Sequence, residues 1–105
     1  MLRLLAIEGN SMQPMLFAGD FILICKWPKA WLQIGHVLVV NSEQYGVIVK
    51  RVTQVCSVKG VMLQGDNALE SVSTSAMGWI KPSAIIGKVI FTSSSRNQKL
   101  LMKNR

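Results

Sequence analysis

The sequence predicts an all-β domain, and two observations carry that prediction. Short runs rich in β-branched residues recur along the chain, separated by Gly, Asn, Ser and Pro. Helical periodicity, by contrast, is poor everywhere. The 105 residues, half of them hydrophobic, suffice for one compact domain with a single core and are too few for two.

Taken in order, residues 2–8 form a first strand. The turn-rich stretch 9–20 follows, with room for one helical turn at 14–17 behind Pro14. Residues 20–25 are the second strand, and 27–33 a loop carrying Trp27 and Trp31. That pair can serve as core plugs, as a membrane-dipping loop or as part of a binding rim. Residues 36–40 and 46–52 are the third and fourth strands, joined by a hairpin connection at 41–45. The run 52–56 links through 57–60 to a strand at 60–63, and residues 84–91 close the fold. The domain is therefore drawn at 1–91, with 92–105 as a flexible basic tail.

Composition narrows the function. The formal charge is +7, from 12 basic and 5 acidic residues. Arg96, Lys99, Lys103 and Arg105 fall in the last ten positions, so part of that charge belongs to the tail. No helix-turn-helix, zinc-finger or aromatic RNA-binding signature accompanies it, and nucleic acid is not expected as a partner. Peripheral contact with a membrane surface stays open. The apolar runs 21–25 and 37–40 fall far short of the roughly 20 residues a membrane helix needs, and Glu8 ends the N-terminal run too early for a secretory signal. A soluble, cytoplasmic protein is expected. Cys25 and Cys56 lie in apolar runs without metal-ligand spacing, which predicts buried free thiols, no metal and no cofactor.

One serine stands where a turn alone would not require it. Ser11 lies inside Gly9-Asn10-Ser11-Met12-Gln13-Pro14, and a serine becomes a nucleophile only when a base removes its proton. His36 is the only histidine, and no carboxylate is placed to orient it, so its bland reading is a strand-start histidine. Lys50 closes the apolar run 46–49, and alternation along the strand can aim it inward. Burial disfavours its charged form and would make it a competent base. The bland reading, a strand-end lysine with its amine in water, stands beside this one.

The order of three boxes resembles the bacterial signal peptidase I family and the LexA-like Ser-Lys peptidases. The first is Gly-x-Ser-Met-x-Pro-x-Leu-x-x-Gly-Asp at residues 9–20. Lys50-Arg51-Val52 follows about forty residues after the serine, and Gly65-Asp66-Asn67 with Ser71, Gly78 and Ile86-Gly87-Lys88-Val89 makes the third. The resemblance implies a peptidase core of compact, twisted antiparallel sheets, small, partly open and barrel-like. It also implies Ser11 as nucleophile, Lys50 as base and Ser71 as the hydroxyl that orients the lysine amine. The oxyanion would be held by the backbone of Ser11 with the Gly9-Asn10 turn, and Met12 would wall the substrate pocket. A protein or peptide substrate would lie as an extended strand against Glu8–Asn10 and Val47–Val49. Asp20 and Asp66 read as turn and structural residues.

The chain departs from the family at Met15, where threonine is usual, at Gly9, where some relatives carry an extra serine donor, and at His36. Ser73-Thr74-Ser75 replaces a common Asp-Ser-Arg. The expected activity is removal of a leader or N-terminal extension from another protein. The alternatives are a LexA-like self-cleaving or regulatory fragment and a non-catalytic β-domain that binds peptides.

Overall fold

The computed structural model describes residues 2–67 and 78–93. Six strands form one antiparallel sheet: β1 (Leu2–Ala6), β2 (Phe21–Cys25), β3 (Val37–Ser42), β4 (Gly46–Cys56), β5 (Gly60–Gln64) and β6 (Ile85–Ser93). Their spatial order is β1-β2-β6-β3-β4-β5, and the sheet does not close into a barrel. The mainly β, compact prediction is borne out, with a single open sheet as its form.

Side chains alternate across a strand, and β3 uses that alternation to bury both of its faces. Val37 and Val39 join one apolar cluster with Ile7, Met12, Leu16, Ile22, Ile24 and Val89. Leu38 and Val40 join a second with Leu32, Val52, Val61, Leu63 and Ile80. A central strand buried on both sides reads as a continuous apolar run, which is how Val37-Leu38-Val39-Val40 appears in the sequence.

Several details differ from the sequence reading. The stretch at 14–17 does not form a helix; one helical-type hydrogen bond, Leu16 N–H to Met12 O at 2.9 Å, spans the preceding residues instead. Runs 46–52 and 52–56 are one strand, with a register shift between Val52 and Gln54. β6 continues through Ser93, two residues past the expected boundary. Two short 3-10 turns, Lys29–Trp31 and Pro82–Ala84, carry no long-range sequence signal. Cys25 and Cys56 are free but only half-buried, because each ends its strand rather than sitting within it. Trp31 is 59% exposed and so is no core plug, whereas Trp27 packs beside the second cluster.

Beyond β5, Ile80 exchanges two backbone hydrogen bonds with Val61, at 3.0 and 2.7 Å. Gly60 makes this approach feasible: its φ is +108°, and a Cβ there would overlap the Ile80 carbonyl.

Candidate functional site

The Ser11 turn is fixed at its base, on its flanks and at its crest. At the base, Ile7 N–H bonds Asp20 O at 2.8 Å, and Gly19 N–H bonds Ile7 O at 2.9 Å. Asp20 is buried and its carboxylate accepts the Phe17 N–H at 2.9 Å, so it is a turn residue, as its Gly-Asp context suggested. Met12 and Leu16, both buried in the first cluster, anchor the flanks. At the crest, Asn67 donates its backbone N–H to Ser11 O at 2.8 Å and its side-chain Nδ2 to Asn10 O at 3.0 Å. Gly9 enters the turn at φ +76°, which only glycine adopts without strain.

A cavity of about 230 Å³ opens beside this turn, lined by Leu5, Ala6, Ile7, Glu8, Ser11, Met12 and Val47, Ile48 and Val49. It lies between two strand edges that lack partners among the described residues. Backbone hydrogen-bonding direction alternates along an antiparallel strand. Ile7 spends both its groups on Gly19 and Asp20, so the N–H and C=O of Glu8 point to the cleft. Val52 likewise exchanges hydrogen bonds with Gly35 and His36, at 2.9 and 2.8 Å. The backbone groups of Val47 and Val49 therefore point away from β3, while pairing with β5 begins only at Arg51. The structure thus brings together Ser11, Met12, Glu8, Val47 and Val49 around one cleft.

Lys50 does not line the cavity; it follows Val49 directly and sits opposite Leu38 in the ladder. It is only 5% exposed. Its pKa is lowered from the ordinary lysine value by desolvation, and among the described residues no carboxylate pairs with it. Both facts favour a neutral amine over a buried ammonium.

Arg51, one residue on, is the opposite case. Its Nε and Nη2 grip both oxygens of Asp66 at 2.8 Å each, Nη1 reaches Gly35 O at 2.8 Å, and Nη2 also meets the Met15 sulfur. The hydrogen bond to Asp66 raises its pKa, with the carboxylate charge adding to that and burial opposing it. Met15, the departure from threonine, is thereby a contact of the arginine clamp. Asp66 holds Arg51 and the adjacent Asn67 holds Asn10 and Ser11, so one dipeptide connects β4 to the serine turn. Sequence reading took Asp66 as structural but missed this connection, whose one signal was the adjacency of Asp66 and Asn67.

His36 stands apart from the cleft. Its Nδ1 accepts the Gln33 N–H at 3.2 Å, and its ring meets Trp27 edge-on at 6.2 Å. Desolvation and then Lys88 lower its pKa. It is a loop-fixing histidine. Ser71 and Ser73-Thr74-Ser75 lie outside the described residues.

Fold and cleft together define a class: an all-β domain with a serine turn set between two open strand edges, one of which continues into a buried lysine that sits opposite Leu38. The chain matches the Peptidase S24-like family over residues 1–90 and belongs to that family. This bears out the resemblance to the LexA-like peptidases. No curated protein and no solved structure matches the chain. Among the described residues, no helix is long and apolar enough to cross a membrane, and no cluster of side chains is suited to hold a metal ion.

Proposed function

We propose that the chain is a Ser-Lys endopeptidase that removes a leader or N-terminal extension from another protein, in the manner of a signal peptidase. One observation carries this reading: Ser11 lies in a cleft between two open strand edges, next to the segment that ends in a buried lysine with no acidic partner among the described residues.

An extended substrate pairs with the backbone groups of Glu8 on one side and of Val47 and Val49 on the other. Leu5, Met12 and Val47 offer apolar walls, which favours a substrate of small or apolar side chains near the cut. Ser11 Oγ attacks the scissile carbonyl, and the Lys50 amine takes the hydroxyl proton and returns it to the leaving amine. Ser71 orients that amine. The oxyanion is held by the backbone N–H of Ser11 with the Gly9-Asn10 turn. Asn67 already occupies the carbonyls of Asn10 and Ser11, which fixes the direction of the intervening peptide group before substrate arrives.

The test incubates the protein with candidate precursors carrying a removable leader, beside Ser11→Ala and Lys50→Ala. Processing by the wild type alone is the expected result. Equal processing by either variant overturns the dyad, and a new N-terminus on the peptidase itself, read by mass spectrometry, replaces the reading with self-cleavage.

A further inference from the structure

The outer face of β1, β2 and β6 is an apolar surface that the cleft does not use. Leu4 lies opposite Leu23, and Leu23 opposite Phe91, so one apolar row crosses three strands. Ile22 and Ile24, the neighbours of Leu23, are buried in the first cluster, which turns the Leu23 row to the other side of the sheet. Leu4 is 66% and Phe91 62% exposed, and Leu2 and Phe21 are exposed beside them. Single exposed apolar residues are ordinary, but a contiguous row marks a docking surface.

Charge says what docks there. At one end Lys88 pairs with Cys25 in the ladder and carries its ammonium 4.7 Å over the Trp27 ring. Trp27 in turn meets the exposed Trp31 edge-on at 5.8 Å, in a loop that also holds Lys26 and Lys29. At the other end Ser93 lies opposite Phe21. No Asp or Glu occurs in the three strands or in residues 26–32. An apolar face with lysines and tryptophan at one end, and no acidic residue in the strands that form it, fits a negatively charged bilayer interface.

We propose that this face docks on an anionic lipid surface. Leu2, Leu4, Phe21 and Phe91 enter the acyl boundary, Trp31 lies at headgroup depth, and Lys26, Lys29 and Lys88 meet lipid phosphates.

The experiment sediments the full chain with vesicles of phosphatidylcholine alone or mixed with phosphatidylglycerol. Binding is expected on the mixed vesicles only, and it weakens with added salt. Leu4→Asn with Phe91→Asn, both at exposed positions, reduces partitioning about tenfold or more. Lys26→Gln with Lys29→Gln reduces it by about the same factor. The proposal is overturned by no binding to mixed vesicles, by equal binding to neutral ones, or by full binding of the Leu4→Asn, Phe91→Asn variant. A dimer in analytical ultracentrifugation that this variant dissolves also overturns it, in favour of a second copy.

Discussion

The two halves of β4 are built from similar residues and end in opposite chemistry. The first half, through Lys50, pairs with β3 and leaves its other edge to the cleft. From Arg51 onward the strand pairs with β5. Lys50 is buried without an acidic partner among the described residues, whereas Arg51 makes hydrogen bonds to Asp66 and Gly35 and touches Met15. Adjacent cations thus meet opposite fates. Lysine can shed its proton when desolvated, while arginine keeps its charge and needs partners wherever it is buried. Under the proposed dyad, the first half carries the base and the second half supports the serine turn.

The sharpest way to break that comparison is Lys50→Met. Removing the proposed base lowers kcat/KM on a cleaved precursor by about a thousandfold or more. Thermal melting should show no loss of stability, since Lys50 forms no ion pair among the described residues. A melting temperature that collapses together with activity would return Lys50 to a structural role.

Next in size is Val49→Pro. Its N–H points to the cleft rather than to β3, and proline removes it. Because that N–H would pair with substrate, kcat/KM falls about tenfold or more, mainly through KM. An unchanged KM would mean that the substrate does not use this edge.

Asn67→Ala frees the carbonyl of Asn10, while the backbone N–H at position 67 still holds Ser11 O. A fall in kcat of about tenfold with little change in KM is expected, since a small displacement of a nucleophile is enough for that. Asn67→Asp keeps the same backbone donor and turns a carboxylate oxygen on the Asn10 carbonyl in place of Nδ2, so it should fall at least as far.

Proton linkage supplies a smaller and graded effect. Because the folded state lowers the Lys50 pKa, the unfolded chain binds more protons between that lowered value and the ordinary 10.5. Stability contributed by this group therefore rises with pH across that window, and is flat below it. Activity on the same substrate should rise with pH to a midpoint below 10.5 and lose that dependence only with its catalysis in Lys50→Met. Denaturant midpoints of wild type and Lys50→Met across the window separate the stability slope from the rate. The smallest effect is expected of Cys56→Ser, at the far end of β4. Hydrogen bonds from the Lys59 and Val58 backbone lower its thiol pKa, yet it touches nothing in the cleft. Activity and melting temperature should both stay unchanged.

Strand runs were legible because β-branched residues recur between glycines, and Val37–Val40 was among them, though its burial on both faces emerged only from the fold. What the sequence did not expose was the sheet order: antiparallel neighbours as far apart as β2 and β6 leave no local mark. Ser11 and Lys50 stood out through their spacing and their resemblance to family boxes, not through any property of either residue alone. The Asp66-Asn67 connection stayed hidden because each residue is an ordinary turn former, and its partners lie more than ten residues away. Cys25 and Cys56 misled because composition tells which runs are apolar, not where a strand ends.

The last strand in sequence lies between β2 and β3, in the middle of the sheet. Synthesis therefore supplies two separate pieces first, the β1–β2 pair and the β3–β4–β5 meander, with no strand to join them. Only when β6 has left the ribosome can the first cluster, which draws on β2, β3 and β6, be completed. A nascent chain stopped before residue 85 carries every residue that lines the cleft and lacks the strand that holds its two walls together, so the cleft forms only after β6 has been made.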